Sequence, residues 1–264
     1  MLTLPGKSAT SGVNPYRPLT PGNLAPLTTA TNAPARAQSR PFNLDTAVGR
    51  ILADLKYVGV VGEFELAVTN GTKVDLTLLP LVVHLIDGQV RTEMDISSIP
   101  SVITATGPFA SLRQFGVTRL VSLTFFNDNV HSQVFPEGKC HLSRELEPEE
   151  MLALIRLERK VIGQESLNGL VCEKTVLTLI YPSGEKREAL LWAVGGNPRQ
   201  MQFNVGDSRL TIRVSDSQSF AELRPEDLLK QKAELFTIPK DYIKFNRLDD
   251  ILTRFHAIQQ RAPR

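Results

Sequence analysis

From Gly59 to Ile96 the chain leaves no room for a helix. Glu63-Phe-Glu-Leu-Ala-Val68 alternates polar and apolar residues, Asn70-Gly71 is a two-residue hairpin signal, and a second strand runs from Lys73 towards Ile86. Asp87-Gly88 marks the next turn, and Gln89 to Ile96 forms a third strand. A parallel sheet needs a crossover of about a dozen residues or more between neighbouring strands. Turns this tight permit only an antiparallel meander.

The same period of two returns later in the chain. Val117–Phe126 reads as a strand, Asn127-Asp-Asn129 as a turn and Val130–Phe135 as the next strand. Lys174–Tyr181, Arg187–Val194, Gln200–Val205 and Arg209–Val214 follow, separated by Pro182-Ser-Gly184, Gly195-Gly-Asn-Pro198 and Gly206-Asp207. In the last two strands one face is apolar (Met201, Phe203, Val205; Leu210, Ile212, Val214) and the other polar (Gln200, Gln202, Asn204; Arg209, Thr211, Arg213). One side therefore meets a core and the other meets water. The pattern predicts a mainly β, α+β chain with one antiparallel sheet of about nine to eleven strands, which at that size curls or closes.

Helices are few. Asn43 can cap a helix over 43–57, whose Leu44, Val48, Ile51, Leu52 and Leu55 recur at helical spacing. Glu147-Pro-Glu-Glu150 places proline and carboxylates in a first turn, predicting a helix through Met151, Leu154, Ile155 and Leu157. Pro108–Phe115 reads as a short helical or looped excursion. A short segment with an acidic start, Arg224–Leu229, and a helix from Leu248 to about Gln260 close the chain.

The first 41 positions differ in kind from the rest. They hold 7 of the 17 prolines and four basic residues (Lys7, Arg17, Arg36, Arg40) with no acidic one. The remainder carries 26 of the 30 basic and all 28 acidic residues, so the overall +2 hides a folded part at −2. With prolines throughout and no apolar period, residues 1–41 are expected to be a disordered tail or a wrongly assigned leader region. Ala35-Arg-Ala37 matches an export-cleavage pattern, or is a chance match in an Ala-rich linker. Residues 42–247 form the main domain and 248–264 a C-terminal helix and tail.

Several classes of function find no support. The near-zero net charge gives no electrostatic footprint for nucleic acid, and no apolar run is long enough for a transmembrane helix. The four histidines, His84, His131, His141 and His256, form no metal motif. His84 sits in the apolar run Leu81–Ile86 as a core or lining residue, while His131 and His141 read as surface positions. No Gly-x-Ser-x-Gly elbow or phosphate loop occurs, and the Glu145–Glu150 cluster reads as a solvated helix start. The expectation is no catalytic residue, no metal and no cofactor. Cys140 and Cys172 could pair, closing a loop of about 33 residues worth roughly 3–4 kcal/mol, or remain two buried thiols.

Apolar excess is the informative feature. Leu76–Ile86 is apolar on both faces of its strand, and Pro80 within it marks an edge or a bulge. Val121, Leu123 and Phe125 share one face, Leu190, Trp192 and Val194 another, and Ala189, Leu191 and Ala193 the face opposite. A sheet apolar on both faces must be covered twice, by helices, by core packing or by an apolar ligand.

Val161-Ile-Gly-Gln-Glu-Ser-Leu-Asn-Gly-Leu-Val-Cys-Glu-Lys174 resembles a segment of the outer-membrane lipoprotein carrier superfamily, which includes the LolA-type and LolB-type carriers. The strand holding Trp192 and the closing Phe236-Thr-Ile-Pro239-Lys-Asp-Tyr242 are similar to elements in the same order, and the likeness spans about residues 43–245. It implies an incomplete antiparallel barrel with a few covering helices, binding lipid or the acyl chains of lipoproteins in the periplasm or cell envelope, with envelope proteins as further partners. The lining expected on that basis is Leu76, Leu78, Leu85, Val121, Leu123, Phe125, Leu191 and Phe203. Neither a leader nor a lipobox cysteine is recognisable, which departs from the pattern. The alternative is a structural or protein-interaction module whose sheet core is simply filled.

Overall fold

The computed structural model describes residues 43–261, apart from 56, 71–72, 99–111, 207 and 221. The tail at 1–41, the Asn70-Gly71 turn beyond Asn70 and most of the 108–115 excursion thus lie outside the described residues; 112–114 are helical.

Twelve strands form one sheet. They are β1 (Tyr57–Asn70), β2 (Lys73–Ile86), β3 (Gln89–Asp95), β4 (Arg119–Phe125), β5 (Val130–Phe135), β6 (Cys140–Glu145), β7 (Arg156–Leu167), β8 (Leu170–Ile180), β9 (Lys186–Val194), β10 (Asn197–Val205), β11 (Ser208–Ser219) and β12 (Ile243–Phe245). Their order is β12-β6-β5-β4-β3-β2-β1-β11-β10-β9-β8-β7. Two meanders, β1–β6 and β7–β11, are joined where β1 pairs antiparallel with β11. Among the described residues the sheet does not close, ending on β12 and β7, and β12 pairs parallel with β6. Pro80 sits where β3 stops accompanying β2, at Leu81↔Met94, so its missing donor falls on a locally free edge, as its chemistry requires.

Besides the short helical stretch at 112–114, the described residues place three helices against the sheet: α1 (Leu44–Leu52), α2 (Pro225–Phe236) and α3 (Leu248–Arg261). Asn43 caps α1, its Oδ1 accepting from Thr46 N at 3.1 Å. The helix ends five residues earlier than its apolar spacing suggests. After a 3-10 turn at Ala53–Leu55, Tyr57 pairs with Ile86 and the alternating Val58 and Val60 join the pleat.

The helix expected after Glu147 is absent. Two 3-10 turns, Pro148–Glu150 and Leu152–Leu154, lead directly into β7. Glu150 does cap the first turn, accepting from Glu147 N at 3.0 Å, but the same carboxylate is held by Arg144 and Asn43. Those tertiary bonds fix the first turn in place, and Met151 and Ile155 are extended.

The sheet curls, and α1 shows how tightly. A Cβ added at Gly49 would lie 3.1 Å from the Val90 side chain on β3. Two residues on, the Ile51 carbonyl accepts from Arg159 of β7 at 3.1 Å, and Asp54 pairs with the same guanidinium at 2.8 Å. Strands β3 and β7 are seven positions apart in the sheet, about 34 Å if it were flat at roughly 4.8 Å per strand. One turn of helix reaches both. The architecture is therefore an incomplete, curved half-barrel, with α1 and α3 on the concave side and α2 on the convex side.

A bulge between Val61 and Gly62 shifts β1 against β11. A Cβ at Gly62 would lie 1.9 Å from the Arg213 carbonyl oxygen. Gly62→Ala is expected to lower stability by about 3 kcal/mol, the upper range for overpacking. Val61→Ala, beside it and half exposed, is expected to change stability by about 0.5 kcal/mol or less. Urea midpoints of the two variants check this, and equal midpoints would refute it.

Candidate functional site

Strand pairing assigns every described side chain to a face. The concave face carries Val60, Phe64 and Leu66 of β1, Leu79, Leu81, Val83 and Leu85 of β2, Leu177 and Leu179 of β8, and Leu191 of β9. Met201 and Phe203 of β10 and Leu210 and Ile212 of β11 complete it, in one buried cluster with Leu44, Ala47, Val48, Ile51 and Leu52 of α1. The helix occupies the space that a second sheet fills in a sandwich.

The eight residues expected to line one apolar surface lie on two. Leu85, Leu191 and Phe203 are buried on the concave face. Val121 and Leu123 face the convex side, in a second cluster with Ile86, Phe220 and Phe236 of α2, and Phe125 packs there edge-on to Phe236 at 6.4 Å. Leu76 and Leu78 also point to the convex side and are 56% and 45% exposed. The reason is parity: in β4 the residues at 121, 123 and 125 pair across to the face opposite that of Leu85.

The cysteines occupy opposite faces as free, buried thiols, Cys140 on the concave side of β6 and Cys172 on the convex side of β8, nine strands away. Of the two alternatives open in the sequence, the structure holds two buried thiols. Burial pushes the Cys140 thiol up to about 11.

Polar side chains cluster on the concave face beneath the first turn of α1. Thr92 pairs across to Ser122 and Ser122 to Gln133; in the next row Thr124 pairs to His131 and His131 to Arg144. Asp45, buried in α1, brings Oδ2 to this patch, where it accepts from the Ser122 hydroxyl and from Thr124 Oγ1 at 3.2 Å. His131 Nδ1 lies 3.0 Å from Thr124 Oγ1 and 3.8 Å from Asp45 Oδ2. Beside it, Arg144 Nη2 donates to Glu150 Oε1 at 2.6 Å, and Asn43 Nδ2 donates to the same oxygen at 2.6 Å.

His131, expected at the surface, is thus 2% exposed. Its outward reading failed because a six-residue strand flanked by turns looks like a rim, whereas α1 folds over it. Burial lowers its pKa, which the Asp45 and Glu150 carboxylates oppose and Arg144 reinforces. Burial works against Glu150 ionising, yet the Arg144 guanidinium and the Glu147 and Asn43 donors hold its carboxyl below the usual range. His84 is half-buried on the convex side, stacked on Phe220 at 6.0 Å, its pKa lowered by burial and then by Arg91. The acidic cluster does not behave as one solvated helix start: Glu145 and Glu149 face outward or partly outward, but Glu150 anchors α1. Sequence reading missed Asp45, Ser122, Thr124, Gln133, Arg144 and Glu150. A signal existed in Ser122/Thr124, a polar pair at a spacing of two between the apolar Val121, Leu123 and Phe125.

No family model matches the chain, and no curated protein does. Solved structures show a likeness of fold. It is similar to a putative outer membrane lipoprotein-sorting protein domain from Vibrio parahaemolyticus, at 12% identity and a TM-score of 0.32, over 71% of this chain and 96% of that one. A DUF1329 family protein from Desulfovibrio piger matches at 9% identity and 0.32, over 70% and 94%. The lipoprotein LppX of Mycobacterium tuberculosis matches at 11% identity and 0.32, over 64% and 92%. At these values the likenesses carry no weight for function.

Proposed function

We propose that this chain is a non-enzymatic carrier that binds lipid, or the acyl chains of lipoproteins, in the bacterial cell envelope. The observation that carries the reading is the closure of the concave face. An open sheet exposes a continuous apolar surface, and what covers its centre is one nine-residue helix rather than a second sheet. A helix held by one surface and a few polar bonds can leave at far lower cost than half a sandwich. An alkyl chain entering in its place gains roughly 0.8 kcal/mol per buried methylene. Envelope proteins that deliver or receive the cargo belong to the same proposal. Among the described residues no helix is long and apolar enough to cross a membrane.

A filled-core interaction module is the second reading, and complete burial of the α1 apolar stripe favours it. Organic extraction of protein purified from an envelope-containing host, followed by mass spectrometry, separates the two. The carrier reading expects a co-purifying lipid and saturable binding of a fluorescent fatty acid. Absence of both would sink it in favour of the module.

A further inference from the structure

The polar patch under α1 is larger than α1 needs. A buried polar group left without a partner costs about 1–3 kcal/mol, so a surface serving only to seat an apolar helix would not place Thr92, Ser122, Thr124, His131, Gln133 and Arg144 side by side. The helix satisfies only part of the set. Asp45 Oδ1, His131 Nε2, Gln133 Oε1 and Thr92 Oγ1 are buried with no hydrogen-bond partner among the described residues. Within the patch, the donors that do reach α1 or the turn beside it end on carboxylates: the Ser122 and Thr124 hydroxyls on Asp45, the Arg144 guanidinium on Glu150. Further along the helix from Asp45, Val48, Ile51 and Leu52 are seated in the apolar trough. A negative head followed by an apolar body is the pattern the concave face accepts from its own chain.

We infer that this patch is the head-group subsite for an amphiphile with an anionic phosphate or carboxylate head, whose alkyl chain takes the place of α1. The head replaces the Asp45 carboxylate on Ser122 and Thr124, beside His131 and Arg144, and the chain takes the volume of Val48, Ile51 and Leu52. Helix α1 is then an internal competitor. The charged or titratable groups facing the subsite are His131 and Arg144 from the sheet, Asp45 from α1 and Glu150 from the turn before β7. With α1 displaced the Asp45 carboxylate leaves the subsite, while Glu150, on the turn before β7, stays paired with Arg144. This subsite rests on the carrier reading above and adds the chemical class of the cargo.

The test uses three probes with one chain length, hexadecyl phosphate, hexadecanoate and hexadecanol, each below its micelle concentration, with inorganic phosphate as the fourth. Displacement of a neutral fluorescent alkyl probe from the full-length protein reads the affinity. Both anions are expected to bind at least about tenfold tighter than hexadecanol, as one charge-assisted hydrogen bond requires. The paired change Ser122→Ala with Thr124→Val is expected to lose that preference, so that both anions bind it no tighter than hexadecanol does. The comparison on the unmodified protein stands even if the paired variant does not fold. Equal affinity for hexadecanol and the two anions would overturn the subsite and leave carriage intact. Inorganic phosphate competing at the affinity of hexadecyl phosphate would overturn the amphiphile in favour of a free anion. No binding of any alkyl probe would overturn subsite and carriage together.

Discussion

Phe64→Ala is expected to lower the unfolding free energy by about 3–5 kcal/mol. Phe64 is fully buried at the middle of β1, the strand that joins the two meanders through β2 on one side and β11 on the other. Its opposite neighbours on the concave face are Leu79 and Ile212, both fully buried. The cavity left behind cannot collapse, because β1 is held by long pairings on both sides. Leu78→Ala, one position along β2 from Leu79 but on the convex face and 45% exposed, is expected to cost about 0.5 kcal/mol or less. Urea unfolding of the two variants checks this. Comparable losses would mean that Leu78 is covered in the folded protein and that the two faces have been assigned wrongly.

Acidification is expected to weaken the fold through its histidines. His131, His84 and His141 each have a pKa lowered first by burial; for His131 the Asp45 and Glu150 carboxylates oppose this and Arg144 adds to it, while Arg91 adds to it for His84 and Lys244 for His141. In the unfolded chain a histidine takes its proton near 6.5. Below that pH the unfolded chain holds protons that the folded one refuses, so stability is flat above about pH 7.5 and falls as pH drops below about 6.5. The slope is at most about 1.4 kcal/mol per pH unit for each proton. His131 should dominate, because His84 and His141 are partly solvated and their share is screened. Depressed carboxyl groups such as Glu150 act in the same sense at lower pH, below about 4.5, and leave this window clear. Urea midpoints at pH 7.5, 6.5 and 5.5 measure the effect, and His131→Gln is expected to flatten most of it. An unmodified protein equally stable at pH 7.5 and 5.5 would contradict the burial of His131 beneath α1.

Periodicity made much of the sheet legible before any coordinate. The strands around Phe64, Val83, Val90, Leu123, Trp192, Phe203 and Ile212 were all readable, because alternation in a half-buried strand is a local property that each pair of turns punctuates. Strands β6 and most of β7 were not. Cys-His-Leu-Ser-Arg-Glu145 has weak alternation and gains its place from pairing with β5, and the start of β7 was hidden by a helix-like first turn at Glu147–Glu150. The residues of the candidate site were harder still. Val121, Leu123 and Phe125 share a face, as their spacing says, but whether that face is concave or convex depends on the register through β2, β3 and β4. Ser122 and Thr124, on the other parity, are buried on the concave face.

The sequence by itself determined the fold class and the sheet: an antiparallel meander follows from strand length, turn chemistry and the want of room for crossovers, all short-range in origin. It also determined that α1 would begin at Asn43 and carry an apolar stripe, since capping and spacing are local. Only the tertiary structure decided which way the sheet bends and what it closes on. Curvature accumulates over twelve strands, and the docking of α1 joins Asp45 to Ser122 and Thr124 and Ile51 to Arg159 across gaps of about 77 to 108 residues. No pattern within a single strand records those contacts. The buried carboxylate and histidine that single out one end of the concave face are brought together only because α1, which precedes the first meander, packs back onto β4 and β5.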